Sequence, residues 1–219
     1  MPPSEPTPRP PLTKEWVLQA AVDLADRKGL GALTMRRLGA ELGFEAMSLY
    51  KHVASKEEIL EGMLELVLGQ IKIPEEGADW KEAMRRRADS AREVLTRHSW
   101  AIGLLESGTS TGPTALRYMD AIIGSLLSAG LSMEHAAHAF WLLDCYVYGQ
   151  VIQEISLPFD SSEEMVDSAA STLEQTTTRE FPNLAAMYEH ALTAGYSFDG
   201  EFEFGLDLIL DGLERHRSL

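Results

Sequence analysis

Two helical patterns near the start of the chain are too short to be stable alone, and they constrain the fold more than any other feature. Residues 35–42 and 46–53 each have apolar side chains at helical spacing, and Gly43 lies between them. A helix of about two turns is unstable in water by itself. Leu49 and Val53, four residues apart, must therefore pack inward. The pattern predicts two short helices joined by a tight glycine turn and clamped by neighbouring helices.

The regions around these segments also read as helices. A helix over 13–28 is predicted from Thr13 as an N-cap and from an apolar stripe at 3.6-residue spacing. Ser55 with Glu58 has the form of a capping box, which predicts a helix over 55–71. The chain lacks alternating β-branched runs and Asn-Gly or Asp-Gly hairpin turns, so strands are not expected.

The remaining two thirds of the chain continue this pattern after a break at Pro74. A glycine-containing loop is expected at 195–200. Further helices are predicted at 79–97, 100–105, 114–129, 132–155, 161–178, 184–193 and 201–216. We therefore predict an all-α fold of about nine to ten helices, with a three-helix helix-turn-helix head and a C-terminal helical bundle.

Proline content and charge divide the chain into three parts. Six of the ten prolines fall in the first twelve residues, so 1–12 is predicted to be a disordered tail, 13–72 the head domain and 73–219 the second domain. Up to residue 72 there are nine Lys and Arg against ten Asp and Glu. From residue 73 onward there are ten against twenty-four, which accounts for most of the net charge of −15. Because an acidic surface repels phosphate, only the head is expected to meet DNA.

The outward face of segment 46–53 has side chains suited to DNA. In a helix-turn-helix the second helix enters the major groove. Lys51 supplies charge, and Ser48 and Tyr50 can hydrogen-bond to phosphates or base edges. The predicted contact residues of this segment are Ala46, Met47, Ser48, Tyr50, Lys51 and His52. The alternative is a packed three-helix unit whose outward residues are merely solvated.

Three residues outside this segment complete the predicted DNA-contacting set. Arg36 lies on the preceding helix beside Arg37, so at most one of the two points at DNA. Thr34 and Lys56 lie at helix N-termini, where backbone N–H groups also favour phosphate.

These residues resemble a known family. The stretches "WVLQAAVDLADRKGLGALTM" (16–35) and "LTMRRLGAELGFEAMSLYKHVASKEEIL" (33–60) look like the DNA-binding head of TetR-family transcriptional repressors. His52 and the closing "FEFGLDLILDGLE" (202–214) are similar to the tetracycline-repressor branch. The resemblance implies a ligand-responsive repressor, not an enzyme, that binds a palindromic operator as a homodimer. An effector-independent regulator or activator is the main alternative, and a helical-bundle enzyme is a remote one without a catalytic signature.

The resemblance also assigns roles within the head. It implies base readout by Arg36, Met47, Ser48 and Lys51, and backbone positioning by Tyr50, His52 and Lys56.

A dimer interface is implied for two apolar helices, 132–155 and 201–216. These are expected to pack against the same two helices of a second copy of the chain and form a four-helix bundle. The residues predicted at the interface are Val147, Val151, Phe202, Leu206, Ile209, Leu210 and Leu213. The alternative is that both helices belong simply to the core of one chain.

A ligand pocket in the second domain is implied as well. Its predicted lining is His98, Trp100, Leu104, Leu105, Tyr118, Ile122, His138, Trp141, Asp144 and Cys145, although ordinary core residues would show the same pattern. Tetracycline repressors place a metal-chelating histidine soon after the Arg-His pair that matches Arg97 and His98. The stretch "SWAIGLLES" (99–107) has none. This favours a small, mostly apolar effector over a tetracycline–magnesium complex.

No cofactor or metal is expected. The stretch "MEHAAH" (133–138) departs from His-Glu-x-x-His and from paired Glu-x-x-His patterns. The chain start does not resemble a secretory signal, and no apolar run approaches about 18 residues. Together with a single cysteine, these features predict a cytoplasmic, nucleoid-associated protein without a membrane partner.

Overall fold

The computed structural model describes residues 11–75, 77–107, 112–158, 162–175, 180–194 and 196–217. Within these residues there are eleven α-helices, one short 3₁₀ turn at Leu30–Ala32 and no strand, so the predicted all-α fold is confirmed. The helices are α1 (Lys14–Lys28), α2 (Met35–Leu42), α3 (Ala46–Leu49), α4 (Lys56–Leu68), α5 (Trp80–Arg97), α6 (Trp100–Glu106), α7 (Pro113–Ser128), α8 (Met133–Ser156), α9 (Ser162–Gln175), α10 (Pro182–Ala194) and α11 (Phe198–Glu214).

The chain divides into two compact units. The first comprises the residues up to Ile73 together with Glu93–Ala121, and the second comprises Pro74–Arg92 together with the residues from Ile122 onward. Helices α5 and α7 therefore contribute residues to both. The sequence had assigned residues 93–121 to the second domain. They group with the first unit because α6 and the start of α7 contact α4.

Side-chain N-caps hold the starts of five helices. Each cap side chain accepts a hydrogen bond from the backbone N–H three residues later, at 3.0–3.2 Å. These caps are Thr13, Thr34, Ser55, Asp79 and Ser132. Glu58 closes the predicted capping box with an offset of one residue, because its carboxylate accepts from the N–H of Ala54 at 2.5 Å.

Two helix boundaries differ from the prediction by three residues. Helix α11 begins at Phe198 because the Ser197 hydroxyl accepts from the N–H of Gly200 at 2.9 Å and caps the helix there. Helix α4 ends at Leu68. Beyond it, the N–H of Ile71 bonds to the carbonyl of Leu68 at 3.1 Å, which is the tighter pattern of a 3₁₀ turn.

The core of the head lies between α1, α2, α3 and α4. Its buried apolar residues are Val17, Leu18, Ala21, Val22, Leu24, Ala25, Leu33, Leu38, Leu42, Leu49, Val53, Ile59 and Met63. Across the described part of the chain, no helix combines the length and apolar character needed to cross a membrane.

Candidate nucleic-acid interface

Helices α2 and α3 are joined by a tight glycine turn. Gly43 has φ 73° and ψ 31°, a left-handed conformation that favours glycine. Its N–H bonds to the carbonyl of Ala40 at 3.2 Å, and the N–H of Phe44 bonds to the carbonyl of Gly39 at 2.9 Å. The end of α2 is therefore closed by backbone hydrogen bonds, and α3 follows directly.

Helix α3 is shorter than predicted. The regular α-helix covers Ala46–Leu49, whereas we expected it to extend to Val53. Residues 50–52 continue as a turn, in which the N–H of His52 bonds to the carbonyl of Leu49 at 2.9 Å. The predicted inward pair is confirmed, since Leu49 and Val53 are both buried in the head core. Burial of this pair explains how so short a segment stays folded.

The close approach of α2 and α3 depends on Gly39. A Cβ atom at this position would lie 2.8 Å from the carbonyl oxygen of Phe44 and 3.2 Å from the backbone nitrogen of Ala46. Both are backbone atoms, so the turn itself must move to relieve the overlap.

We expect Gly39→Ala to destabilise the head by about 1–3 kcal/mol, the usual range for overpacking. Urea unfolding followed by circular dichroism measures the change. Gly31→Ala is the matched control, because a Cβ there meets nothing within 4 Å. Equal unfolding midpoints for the two variants would show that α2 and α3 do not need this approach.

The predicted DNA-contacting residues lie on α2 and α3, in the turn after α3, and at the starts of α2 and α4. Met47 is 72% exposed and Tyr50 is 46% exposed, although both are large and partly apolar. The other exposed members are Thr34, Arg36, Lys51 and Lys56, and the half-buried members are Ala46, Ser48 and His52. All nine lie in the first unit.

The seven Lys and Arg residues between the start of α1 and the end of α4 fall into two groups. Arg27 and Lys28 pair with Glu41 at 3.0 and 3.3 Å, and hydrogen bonds from Lys28 and Arg27 hold the pKa of the Glu41 carboxyl below its usual value. Lys14 likewise pairs with Glu58. Within the described residues, the second group makes no ion pair. It consists of Arg36, Arg37, Lys51 and Lys56, whose charge is therefore available to an anionic partner.

Two residues predicted to line the ligand pocket are instead bonded to α1. The Nδ1–H of His98 donates to the Asp26 carboxylate at 2.8 Å, and the indole N–H of Trp100 donates to the same carboxylate at 2.6 Å. The Nε2 atom of His98 lies 3.3 Å from the Gln70 amide nitrogen, within hydrogen-bond distance.

The predicted pocket residues are divided between the two units. Leu104, Leu105 and Tyr118 belong to the first unit with His98 and Trp100, and the remainder belong to the second. Three of them are exposed on α8 in the single chain, namely His138, Trp141 and Cys145. Asp144 and Ile122 are buried.

The segment 133–138 shows no metal-binding geometry. Nε2 of His138 lies 4.0 Å from the Glu134 carboxylate, and both side chains are exposed. His135 contacts the ring of His216, with centroids 4.9 Å apart. No group of three or more His, Cys, Asp or Glu residues in the described ranges is placed to hold a metal ion.

The predicted dimer-interface residues lie mainly in the core of a single chain. Six of them are buried, namely Val147, Val151, Phe202, Leu206, Leu210 and Leu213, and Ile209 is half-buried. These six side chains are buried within the chain, where α8 and α11 contact each other. The rings of Tyr146 and Phe202, for example, stack at 5.5 Å.

The opposite faces of the same two helices are apolar and exposed. Helix α8 presents Trp141 (67% exposed), Leu142, Ile152 and Ile155, and α11 presents Phe204 (65% exposed) and Leu208. We call this set the exposed apolar face. Single exposed apolar side chains are common on proteins, but a set of this size on two neighbouring helices is typical of an interaction site.

Comparison with known proteins decides the family. The model of the bacterial regulatory proteins of the tetR family matches residues 17–63, and that of the tetracyclin repressor-like C-terminal domain matches residues 73–217. The chain belongs to the TetR family of transcriptional regulators.

Relatives in this family match over nearly the whole chain. The HTH-type transcriptional repressor DrrR1 of Streptomyces coeruleorubidus is 33% identical over 94% of this chain and 79% of its own length. The class A tetracycline repressor protein from transposon 1721 of Escherichia coli is 29% identical over 94% of this chain and 92% of its own. The crystal structure of the TetR family protein ActR of Streptomyces coelicolor in complex with actinorhodin matches with a TM-score of 0.76 at 29% identity, covering 93% of this chain and 97% of that one.

Within this TetR-family chain, sequence reasoning missed the ion pairs that join helices of the second unit. Lys81 pairs with Asp211 at 2.8 Å, and Arg85 pairs with Asp207 at 2.6 Å, so α5 and α11 are linked along their length. A sequence pattern could have indicated these ion pairs. Lys81 and Arg85 are four residues apart on α5, and Asp207 and Asp211 are four residues apart on α11. The buried pair of Arg87 with Asp144 had no such signal.

Proposed function

We propose that this TetR-family regulator is a repressor that binds a palindromic operator as a homodimer through the surface around α3. The observation that carries the proposal is the charge distribution of the head. Four cations between residues 36 and 56 make no ion pair within the described residues, and the same stretch exposes Met47 and Tyr50, whereas the chain as a whole has a net charge of −15. Such cations on the head of an acidic protein favour phosphate there over the acidic remainder of the chain.

The contacts divide by chemistry. Arg36, Met47, Ser48 and Lys51 are assigned to base edges, because charged and apolar side chains discriminate bases in the major groove. Tyr50, His52 and Lys56 are assigned to phosphates. Thr34 uses its oxygen to cap α2 at 3.2 Å, so its hydroxyl hydrogen remains to donate to a phosphate.

The exposed apolar face is our candidate for the dimer interface. Burying it against the same face of a second copy removes Trp141, Phe204 and Leu208 from water. A twofold dimer presents two heads, which matches a palindromic operator and doubles the DNA contacts. Binding to chromosomal operators would place the protein in the cytoplasm, associated with the nucleoid.

A small, mostly apolar effector is proposed to release the operator. Relatives named as a tetracycline repressor and as ActR in complex with actinorhodin support a small-molecule ligand. The effector shifts the dimer only if it binds the released state more tightly than the DNA-bound state. No histidine lies between Ser99 and Ser107, which favours an effector held without the metal chelation of tetracycline repressors.

Selection from a randomised duplex library tests the function directly. We expect the purified protein to enrich a palindrome whose half-sites are about one helical turn, or a multiple of it, apart. A library that shows no enrichment at low salt would overturn the proposal.

For the head, Lys51→Ala should weaken binding to the selected duplex by about 1–3 kcal/mol and relax preference at one position, because a bidentate base contact is lost. Fluorescence anisotropy on the selected and scrambled duplexes measures both effects. Lys28→Ala is the matched control, since it removes the same charge from a cation already paired with Glu41. An equal loss on all sequences would reassign Lys51 to phosphate.

A further inference from the structure

The Glu65 side chain of α4 caps a different helix, α7. Its carboxylate accepts from the backbone N–H of Thr114 at 2.8 Å through Oε2 and at 3.2 Å through Oε1. It also accepts from the N–H of Ala115 at 3.2 Å. These N–H groups belong to the first turn of α7, where no intrahelical carbonyl is available. A local residue usually serves as the cap, and here a residue about 50 positions away does so.

The residues around this carboxylate leave space for it and stabilise its charged form. A Cβ at Gly112 would lie 2.2 Å from Oε1 and 2.5 Å from Cδ of Glu65, so glycine leaves the space that the side chain occupies. Burial by itself raises the pKa of the Glu65 carboxyl. The hydrogen bonds from Thr114 and Ala115, with the nearby charge of Arg117, outweigh that effect and lower the pKa below its usual value. The charged form is therefore the one that holds the start of α7.

Helix α4 leads from this contact back to the DNA-binding surface. It starts at Lys56, directly after the turn that follows α3, and Glu65 lies nine residues along it, about 14 Å at 1.5 Å per residue. Helix α7 extends from Pro113 to Ser128 and leaves the first unit after Ala121. The cap thus joins α4 to the first turn of α7 within the first unit.

We infer that Glu65 is a positioning residue that couples α7 to the DNA-binding head, so that the placement of α4 follows the start of α7. The inference rests on the proposed function, because it assumes that the position of α4 affects operator binding. Hydrogen bonds from two N–H groups to one carboxylate fix the direction as well as the distance of this contact, which an apolar contact would not do. A variant without the cap leaves α4 free to sample placements in which operator binding is weaker.

Three variants separate coupling from simple packing. Glu65→Ala removes the cap, and Glu65→Gln keeps the acceptor oxygen without the charge. Glu61→Ala is the matched control, one turn earlier on α4, exposed and without a hydrogen bond or ion pair to a described residue. Each is measured by amide hydrogen exchange at Thr114 and Ala115, by exchange over residues 60–68 of α4, and by affinity for the selected duplex.

For Glu65→Ala we expect exchange at Thr114 and Ala115 to rise about tenfold, with a smaller rise over 60–68, and operator affinity to fall about fivefold. Glu65→Gln should fall between this variant and the unaltered protein, and Glu61→Ala should change none of the three readouts. Faster exchange in α7 with unchanged α4 exchange and unchanged affinity would refute the coupling. If the unaltered protein selects no duplex, the proposed function fails, and the paired exchange measurements alone decide the inference.

Discussion

Replacing Trp141 and Phe204 together by glutamate is expected to give monomers of 24.2 kDa that keep their helical content. The two side chains are 67% and 65% exposed, so neither contributes much to the fold of one chain. Two charges placed in the centre of an apolar interface would each have to be buried without a partner, which strongly disfavours association. Sedimentation measures the mass, and circular dichroism measures the helices.

This variant should also lose operator affinity by roughly 100-fold, because a single head forfeits the second half-site. Leu116→Glu is the control for added charge, since Leu116 is exposed on α7 in the first unit. Leu206→Glu should behave differently from both. Leu206 is buried in the chain, so a charge there unfolds the second unit rather than producing folded monomers. A dimer that survives the double substitution would rule out the exposed apolar face as the interface.

The second large effect is expected for Asp144→Ala, which should destabilise the protein by about 3–5 kcal/mol. Arg87 is 1% exposed and its Nη2 pairs with Oδ1 of Asp144, while the hydroxyl of Tyr148 lies 3.4 Å from Oδ2. Removing the carboxylate takes the Asp144 counter-charge away from a guanidinium that is buried in the core. Urea unfolding at a fixed protein concentration measures the loss, since a dimer gains stability with concentration.

A double substitution and a surface control sharpen this test. Arg87→Met with Asp144→Leu should recover most of the loss, because replacing both partners by apolar residues removes the desolvation cost. Arg85→Ala breaks the exposed pair with Asp207 and should cost less than about 1 kcal/mol. If Asp144→Ala costs no more than Arg85→Ala, the buried pair does not stabilise the second unit as we describe.

Local patterns in the sequence were sufficient to predict the helices and most of the residues at which they start. The caps at Thr34 and Ser55 lie where they were predicted, because each bonds to a residue in the first turn of its own helix. The end of α3 was missed. Helical spacing of apolar side chains continues to Val53, but the backbone tightens after Leu49, and side-chain spacing does not report that change.

The sequence by itself determined the all-α fold and the head. Leu49 and Val53 had to face inward for so short a segment to be stable, and this placed Met47, Tyr50 and Lys51 outside. Only the tertiary structure decided which face of α8 and α11 is internal. Both faces of each helix are apolar, so the spacing of apolar residues in the sequence cannot distinguish them. It also decided that His98 bonds to Asp26, that Asp144 bonds to Arg87 and that Glu65 caps α7. These partners are 49 to 72 residues apart, and no local pattern specifies which distant groups the packing of helices brings together.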